Sequence, residues 1–160
     1  VQKAANKYNS RYLTINAPLY LLNDQTRQAL RQEPAIAPTL RAAQQIDLIL
    51  TGLGTLESVE SIDSWHQSFT ALFPDVQPQA IAGLLYGRPF DRTGHFLNTV
   101  STDKTFGLSI EAILKVATRV AVVNNKFKST ALAAALTGQF LTDLILDEPT
   151  AAKVLALKKA

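Results

Sequence analysis

The sequence predicts an α/β domain, a mainly parallel sheet flanked by helices. Three observations carry that expectation. Short, almost wholly apolar runs such as Asp47-Leu48-Ile49-Leu50 recur and end at glycines or polar clusters; such runs fit parallel strands, which are buried on both faces. The runs alternate with helical stretches of about 10–15 residues, the spacing of βαβ units. The chain has 160 residues, 47% hydrophobic and 18% charged, enough apolar material for one core and too much for a disordered segment.

The elements follow in order. Val1 to Tyr8 reads as a helix. Arg11 to Leu22 is an extended apolar stretch interrupted by Pro18. Asn23 can cap a helix with Asp24 in its first turn, running through Arg27, Ala29 and Leu30. Pro34 and Pro38 punctuate the chain before a second helix, from about Pro38 to Gln45. The first strand, Asp47 to Leu50, ends at Gly52. Glu60 to Leu72 reads as one amphipathic helix carrying Ile62, Trp65, Phe69 and Leu72, and Pro74 and Pro78 follow it. Ala80 to Tyr86 is the second apolar run, and Asp91-Arg92-Thr93-Gly94 carries a turn signature. Phe106 to Leu108 is expected to add a short strand, and Ser109 to cap a helix through Leu114. Thr118 to Val123, holding Val120 to Val123, is the third buried strand. A helix from about Phe127 to Leu136 is expected to end with Gly138 in the C′ position. Asp143 to Leu146 is the fourth strand, and Asp147 caps a last helix with Pro149 in its first turn. The tetrapeptide Asp-Leu-Ile-Leu occurs at 47–50 and 143–146, but the flanks do not match and it is not read as a repeat.

Composition narrows the function. Cysteine is absent, which excludes disulfides, thiolate catalysis and cysteine-ligated metals. No apolar run approaches the roughly 20 residues of a membrane-spanning helix, so the expectation is a soluble chain without a membrane role. Methionine is absent as well, and the chain opens inside a predicted helix, so residues 1–160 are expected to be part of a longer protein. Net charge is +3; residues 1–80 hold 6 basic and 7 acidic side chains (−1), residues 81–160 hold 10 and 6 (+4). That asymmetry fits a local anion site better than a nucleic-acid face, which needs clustered basic side chains.

In an open parallel sheet, ligands bind beyond the carboxyl ends of the strands. That rule selects four segments: 51–54, 86–91, 124–128 and 147–148. Gly52-x-Gly54 lets backbone approach a ligand, or simply makes a tight turn; a third glycine of a dinucleotide fingerprint is missing, since position 57 is Glu57. Asn124-Asn125 precedes a predicted helix start, with Lys126 and Lys128 in the same turn. The pair can build a left-handed anion nest, or form a surface loop with solvated lysines. Asp91 can accept sugar hydroxyls or bond its own turn; Arg88 can bind phosphate or be an ordinary surface cation. Asp147 is most simply a cap, His66 reads as a surface or core-edge residue, and His95 as a surface residue. No nucleophile–base pair, metal-ligand spacing or Walker loop is visible, and no cofactor is expected.

These segments resemble a family. Ile46 to Gly54, Tyr86 to Gly94, Phe106 to Ile110, Val120 to Lys128, Asp143 to Leu155 and Ala17-Pro18-Leu19-Tyr20 resemble, in order and spacing, blocks of the sugar-binding domain of SorC/DeoR-type bacterial transcriptional regulators. The resemblance covers essentially the whole chain. It implies a fold like that of ribose-phosphate isomerase and glucosamine-phosphate deaminase. It implies a non-catalytic role in the cytoplasm: binding a phosphorylated sugar that controls DNA binding and oligomer state, as a dimer or tetramer. It also implies that an N-terminal α/β portion and a helix-turn-helix domain, the only contact with DNA, lie outside these residues. The family's ligand-contacting aspartate falls on Asp91 and its lysine on Lys128. Its loop glycines fall on Asn124 and Asn125, so two side chains stand where the family has none. Together with Gly52 and Gly54, these are the expected ligand-binding residues. The alternatives are a sugar-phosphate isomerase or deaminase, for which Asp91, His95 and Asp147 are the candidate bases, and an interaction domain that has lost its ligand.

Overall fold

The computed structural model describes residues 1–159. Their order is α1 (Gln2–Lys7), α2 (Asp24–Gln32), α3 (Ala37–Ala43), β1 (Leu48–Thr51), α4 (Leu56–Glu60), α5 (Asp63–Gln67), α6 (Phe69–Leu72), β2 (Gly83–Leu85), β3 (Arg88–Phe90), α7 (Ile110–Leu114), β4 (Thr118–Val123), α8 (Ser129–Thr137), β5 (Asp143–Leu146) and α9 (Glu148–Lys159). Strands β1, β4 and β5 form a parallel sheet in the order β1-β4-β5, with Leu50 opposite Val120 and Val122 opposite Ile145. The predicted α/β class and three of the four predicted parallel strands are therefore present.

Local chemistry explains the helix starts. Asn23 Oδ1 accepts from the Thr26 N–H at 2.8 Å, Ser109 Oγ from Ala112 at 3.2 Å, and Asp147 Oδ1 from Thr150 at 3.0 Å. Each satisfies a backbone donor that the first helical turn leaves orphaned.

The sheet is unequal on its two faces. Ala121 and Val123 join Leu132 and Ala135 of α8 and Val154 of α9 in the main core. The alternate positions, Leu48, Leu50, Val122 and Ile145, are 57%, 66%, 44% and 57% exposed. The apolar runs promise burial on both sides, but these residues supply helices to one side only.

Four predicted elements differ. The run Ala80 to Tyr86 does not enter the parallel sheet. Tyr86 and Gly87 both hold positive φ, 55° and 76°, the signature of a two-residue hairpin turn. The chain reverses there, and β2 pairs antiparallel with β3. The predicted helix Glu60–Leu72 is broken into α5 and α6, and its first residue, Glu60, ends α4. Ser61 and Ser68 sit at its breaks, as residues that compete with the helical backbone do. Its apolar side still faces inward: Trp65, Phe69 and Leu72 join Phe73, Val76 and Tyr20 in a second core. Phe106–Leu108 is not a strand; Thr105 makes only an isolated bridge to Tyr20, and Phe106 buries against Ile36 and Leu40. Finally, Gly138 is not the left-handed residue after α8. Its φ is −75°, and Gln139 takes the left-handed place with φ 55°. Phe140 N–H then bonds Ala135 O at 3.1 Å and Gln139 N–H bonds Leu136 O at 3.2 Å, closing a Schellman motif.

Gly138 has a different reason to be glycine. A Cβ there would lie 2.4 Å from Gly94 O, and one at Gly94 would lie 2.3 Å from Gly138 N. Two backbones touch, locking the Asp91–Gly94 turn to the C-terminal end of α8. Gly52, by contrast, has nothing within 4 Å of an added Cβ. Gly138→Ala is expected to cost about 2–3 kcal/mol through overpacking. Gly52→Ala is expected to stabilise by up to about 1 kcal/mol through a stiffer unfolded chain. Urea unfolding of the two variants checks both.

Candidate functional site

The carboxyl ends of β1 and β4 lie side by side because the strands are parallel partners. After β1 the chain passes exposed Gly52 and buried Leu53 and reaches Gly54. Gly54 exchanges two 2.9 Å backbone bonds with Leu84, which fasten this loop to the hairpin. After β4 come exposed Asn124 and Asn125, a single 3₁₀ turn over Lys126–Lys128, and α8. Lys128 reaches across and donates from Nζ to Leu53 O at 2.6 Å. That bond closes the two loops into one rim.

The asparagine pair does not make a left-handed nest. Asn125 is extended, with φ −138°, and its Oδ1 accepts from the Phe127 N–H at 2.9 Å, capping the turn. The Phe127 ring stands 78% exposed beside the rim, with the Lys126 ammonium 5.8 Å from its centroid.

Asp91 belongs to another place. Its Oδ1 accepts from Thr93 N–H (2.9 Å), Thr93 Oγ1 (2.8 Å) and His95 N–H (2.9 Å). Desolvation raises the Asp91 carboxyl, but the bonds from His95 and Thr93 together outweigh it and hold the pKa below its ordinary value. His95 is exposed, with Nδ1 2.9 Å from Thr93 Oγ1. This turn docks on the C-terminal end of α8 while Lys128 precedes its N-terminal end, and at 1.5 Å per residue the helix between them is about 13 Å long. The structure thus brings Gly52, Gly54, Asn124, Asn125 and Lys128 to the ends of β1 and β4, while the Asp91 carboxylate is taken up by its own turn.

Arg88 is not a surface cation. It is 3% exposed. Nε and Nη2 reach Asp103 Oδ2, both at 2.7 Å, and Nη1 and Nη2 donate to Tyr86 O and Leu108 O at 2.9 Å each. It forms one wall of a cavity of about 640 Å³ lined also by Arg27, Arg31, Asn98, Asp103 and Thr105. Sequence reading missed this cavity; its arginines lie on α2 and β3, far apart in the chain, and no local pattern joins them. His66 is exposed on α5 and Asp147 is a cap, as expected. Among the described residues no group of three His, Asp or Glu could hold a metal ion, and no helix is long and apolar enough to cross a membrane.

The family model described as "Putative sugar-binding domain" matches residues 1–156. The chain belongs to that family. The transcriptional regulator LsrR of Escherichia coli strain K12 is 25% identical over 144 residues, which cover 88% of this chain and 45% of LsrR. The chain therefore spans about half the length of the curated relatives it matches. Among solved structures, the sugar-binding domain of a transcriptional repressor from Vibrio fischeri superposes with a TM-score of 0.78 at 20% identity, covering 99% of this chain and 64% of that one. The full-length sorbitol operon regulator SorC from Klebsiella pneumoniae gives 0.77 at 17% identity, covering 96% and 50%. At these identities the likeness is one of fold.

Within this sugar-binding domain the two charged networks have distinct expected signatures. Arg88→Ala leaves Asp103 part-buried without its partner and is expected to cost about 3–5 kcal/mol in chemical unfolding. Asp91 acts through pH. A carboxyl whose folded pKa is depressed contributes stability above its unfolded pKa, near 4, and loses it as pH falls through the folded value. Asp91→Asn is therefore expected to lose less stability than the wild type on acidification below about pH 4, read from unfolding curves at stepped pH.

Proposed function

We propose that the chain is the effector-binding domain of a bacterial transcriptional regulator, and that its effector is a phosphorylated sugar held at the carboxyl ends of β1 and β4. The observation that carries this reading is the Lys128 bond to Leu53 O. It brings the ammonium over the end of a parallel sheet, where α/β folds take their ligands, and a carbonyl partner leaves the positive charge uncompensated. Gly52 leaves open space above the rim, and exposed Asn124 and Lys126 supply further donors. In this reading Lys128 meets the phosphate, Asn124 and the backbone from Gly52 to Gly54 contact the sugar, and Asn125 shapes the loop. Asp91 shapes its own turn on α8.

The role is regulatory and non-catalytic, as the family relationship and the regulator relatives support. Binding at the rim biases how copies of the domain pack together, and DNA is contacted by another part of the whole protein. Lys128→Ala is expected to weaken binding of a sugar phosphate about tenfold or more, as loss of a charge-assisted contact does. Thermal unfolding of the wild type and variant against a panel of sugar phosphates measures this. A wild type that no member stabilises at millimolar concentration refutes the reading.

A further inference from the structure

We infer that copies of this chain join through an acidic, apolar knob at the α4–α5 corner of one and a basic, apolar groove beside α8 of another. The inference rests on the packing of copies in the proposed function and needs no effector. Charge is the first observation. Residues 42–87 carry Asp47, Glu57, Glu60, Asp63 and Asp75 and no lysine or arginine. Glu57, Glu60 and Asp63 gather at the α4–α5 corner, and all three are exposed. Glu57 accepts from the Thr55 hydroxyl at 3.1 Å, and among the described residues Glu60 and Asp63 are paired with no cation. Between them stands Ile62, 38% exposed. Val59 and Trp65, three residues to either side, pack in the second core. The corner therefore presents an isoleucine between two unpaired carboxylates.

The groove carries the opposite sign. It has a volume of about 530 Å³ and lies between the Asp91–Gly94 turn, α8 and the end of α9. Ala133, Ala134 and Leu157 make its apolar part, with Leu157 42% exposed. Arg92 and Lys158 line it too, and both are exposed. Among the described residues neither is paired with a carboxylate. An apolar side chain between two carboxylates matches an apolar groove that carries a guanidinium and an ammonium, in chemistry and in sign. A nucleic-acid backbone would engage the two cations and leave Leu157 and the alanines unmatched; the Ile62 knob uses both parts. Knob and groove are different surfaces, so the knob of one copy and the groove of another suffice for a contact.

The purified chain is followed by sedimentation velocity over a range of micromolar concentrations, without effector. The wild type is expected to self-associate, and more weakly as salt rises. Ile62→Ser removes the knob and Arg92→Glu reverses the groove; each is expected to weaken association about tenfold or more. Thermal unfolding of both is expected to stay near that of the wild type, since both side chains reach solvent and serine suits the N-cap position that Ile62 holds. Mixed in equal amounts, the two variants are expected to associate as neither does alone, because the mixture retains one intact knob and one intact groove. Asp63→Arg combined with Arg92→Glu in one chain is expected to recover association that Arg92→Glu alone has lost. A wild type that stays monomeric at every concentration overturns the proposal. So does association that Ile62→Ser and Arg92→Glu leave unchanged, or a mixture of the two that stays monomeric. Sugar-phosphate binding and assembly are separate readouts here: failure of every sugar phosphate to stabilise the wild type refutes the effector reading alone, and a monomeric wild type that binds one refutes this contact alone.

Discussion

The buried Arg88 guanidinium is the contact on which the non-sheet half of the molecule depends. Its partners span the Tyr86 turn, Asp103 and Leu108. Asp103 uses its other oxygen to receive the Thr105 N–H at 2.9 Å. The loop so held receives the extended N-terminal stretch: Leu21 N–H bonds Lys104 O and Phe106 N–H bonds Leu19 O. That stretch delivers Tyr20, whose hydroxyl donates to Gly87 O at 2.8 Å and whose ring meets Trp65 and Phe73 edge-on. Burial pushes the Tyr20 hydroxyl up to about 12, so it remains a neutral donor. A charge this deep is tolerated because carboxylate and carbonyls replace its hydration. The hairpin, the loop and the second core consequently share one anchor.

What was legible in the sequence was what local chemistry decides. Asn23, Ser109 and Asp147 announce helix starts because a capping side chain bonds a backbone donor three residues on. Three Leu/Ile/Val-rich runs announce strands because each is too short for a helix and ends at a glycine or a polar cluster. The illegible features have partners distant in sequence. Tyr86 adopts positive φ, unusual for an aromatic residue, and its hydroxyl is held by Phe140 O, 54 residues on. Arg88 looks like any exposed arginine until Asp103 and Leu108 fold onto it. Gly138 is read as a helix stop from position alone, whereas its constraint is Gly94, 44 residues earlier, pressed against it.

The same division runs through the candidate site. Gly52, Gly54, Asn124, Asn125 and Lys128 share a rim because strand order puts β1 beside β4, and parallel topology is readable from alternating elements. Asp91 joins them only if the run before it is a fourth parallel strand. The hairpin turn at Tyr86-Gly87 removes that premise, and Asp91 instead follows an antiparallel strand into the turn whose Gly94 touches Gly138. One element, the 83–90 hairpin, thus sets where Asp91 stands, while strand order sets where the other five stand.

A carboxylate partner, or a guanidinium fully spent on carbonyls, marks the structural cations. Arg27, Arg88 and Lys104 each have a carboxylate within 3.0 Å, so an arriving anion would have to displace or repel that partner. Arg119 spends its guanidinium on the carbonyls of Leu114, Val116, Gln139 and Phe140, bracing α8 against β4. Lys128 and Arg31 each keep one carbonyl bond and no carboxylate among the described residues. A carbonyl satisfies a donor's direction without neutralising its charge. Each of these two groups is held in place by a bond that leaves its charge unpaired, which a fold alone does not require.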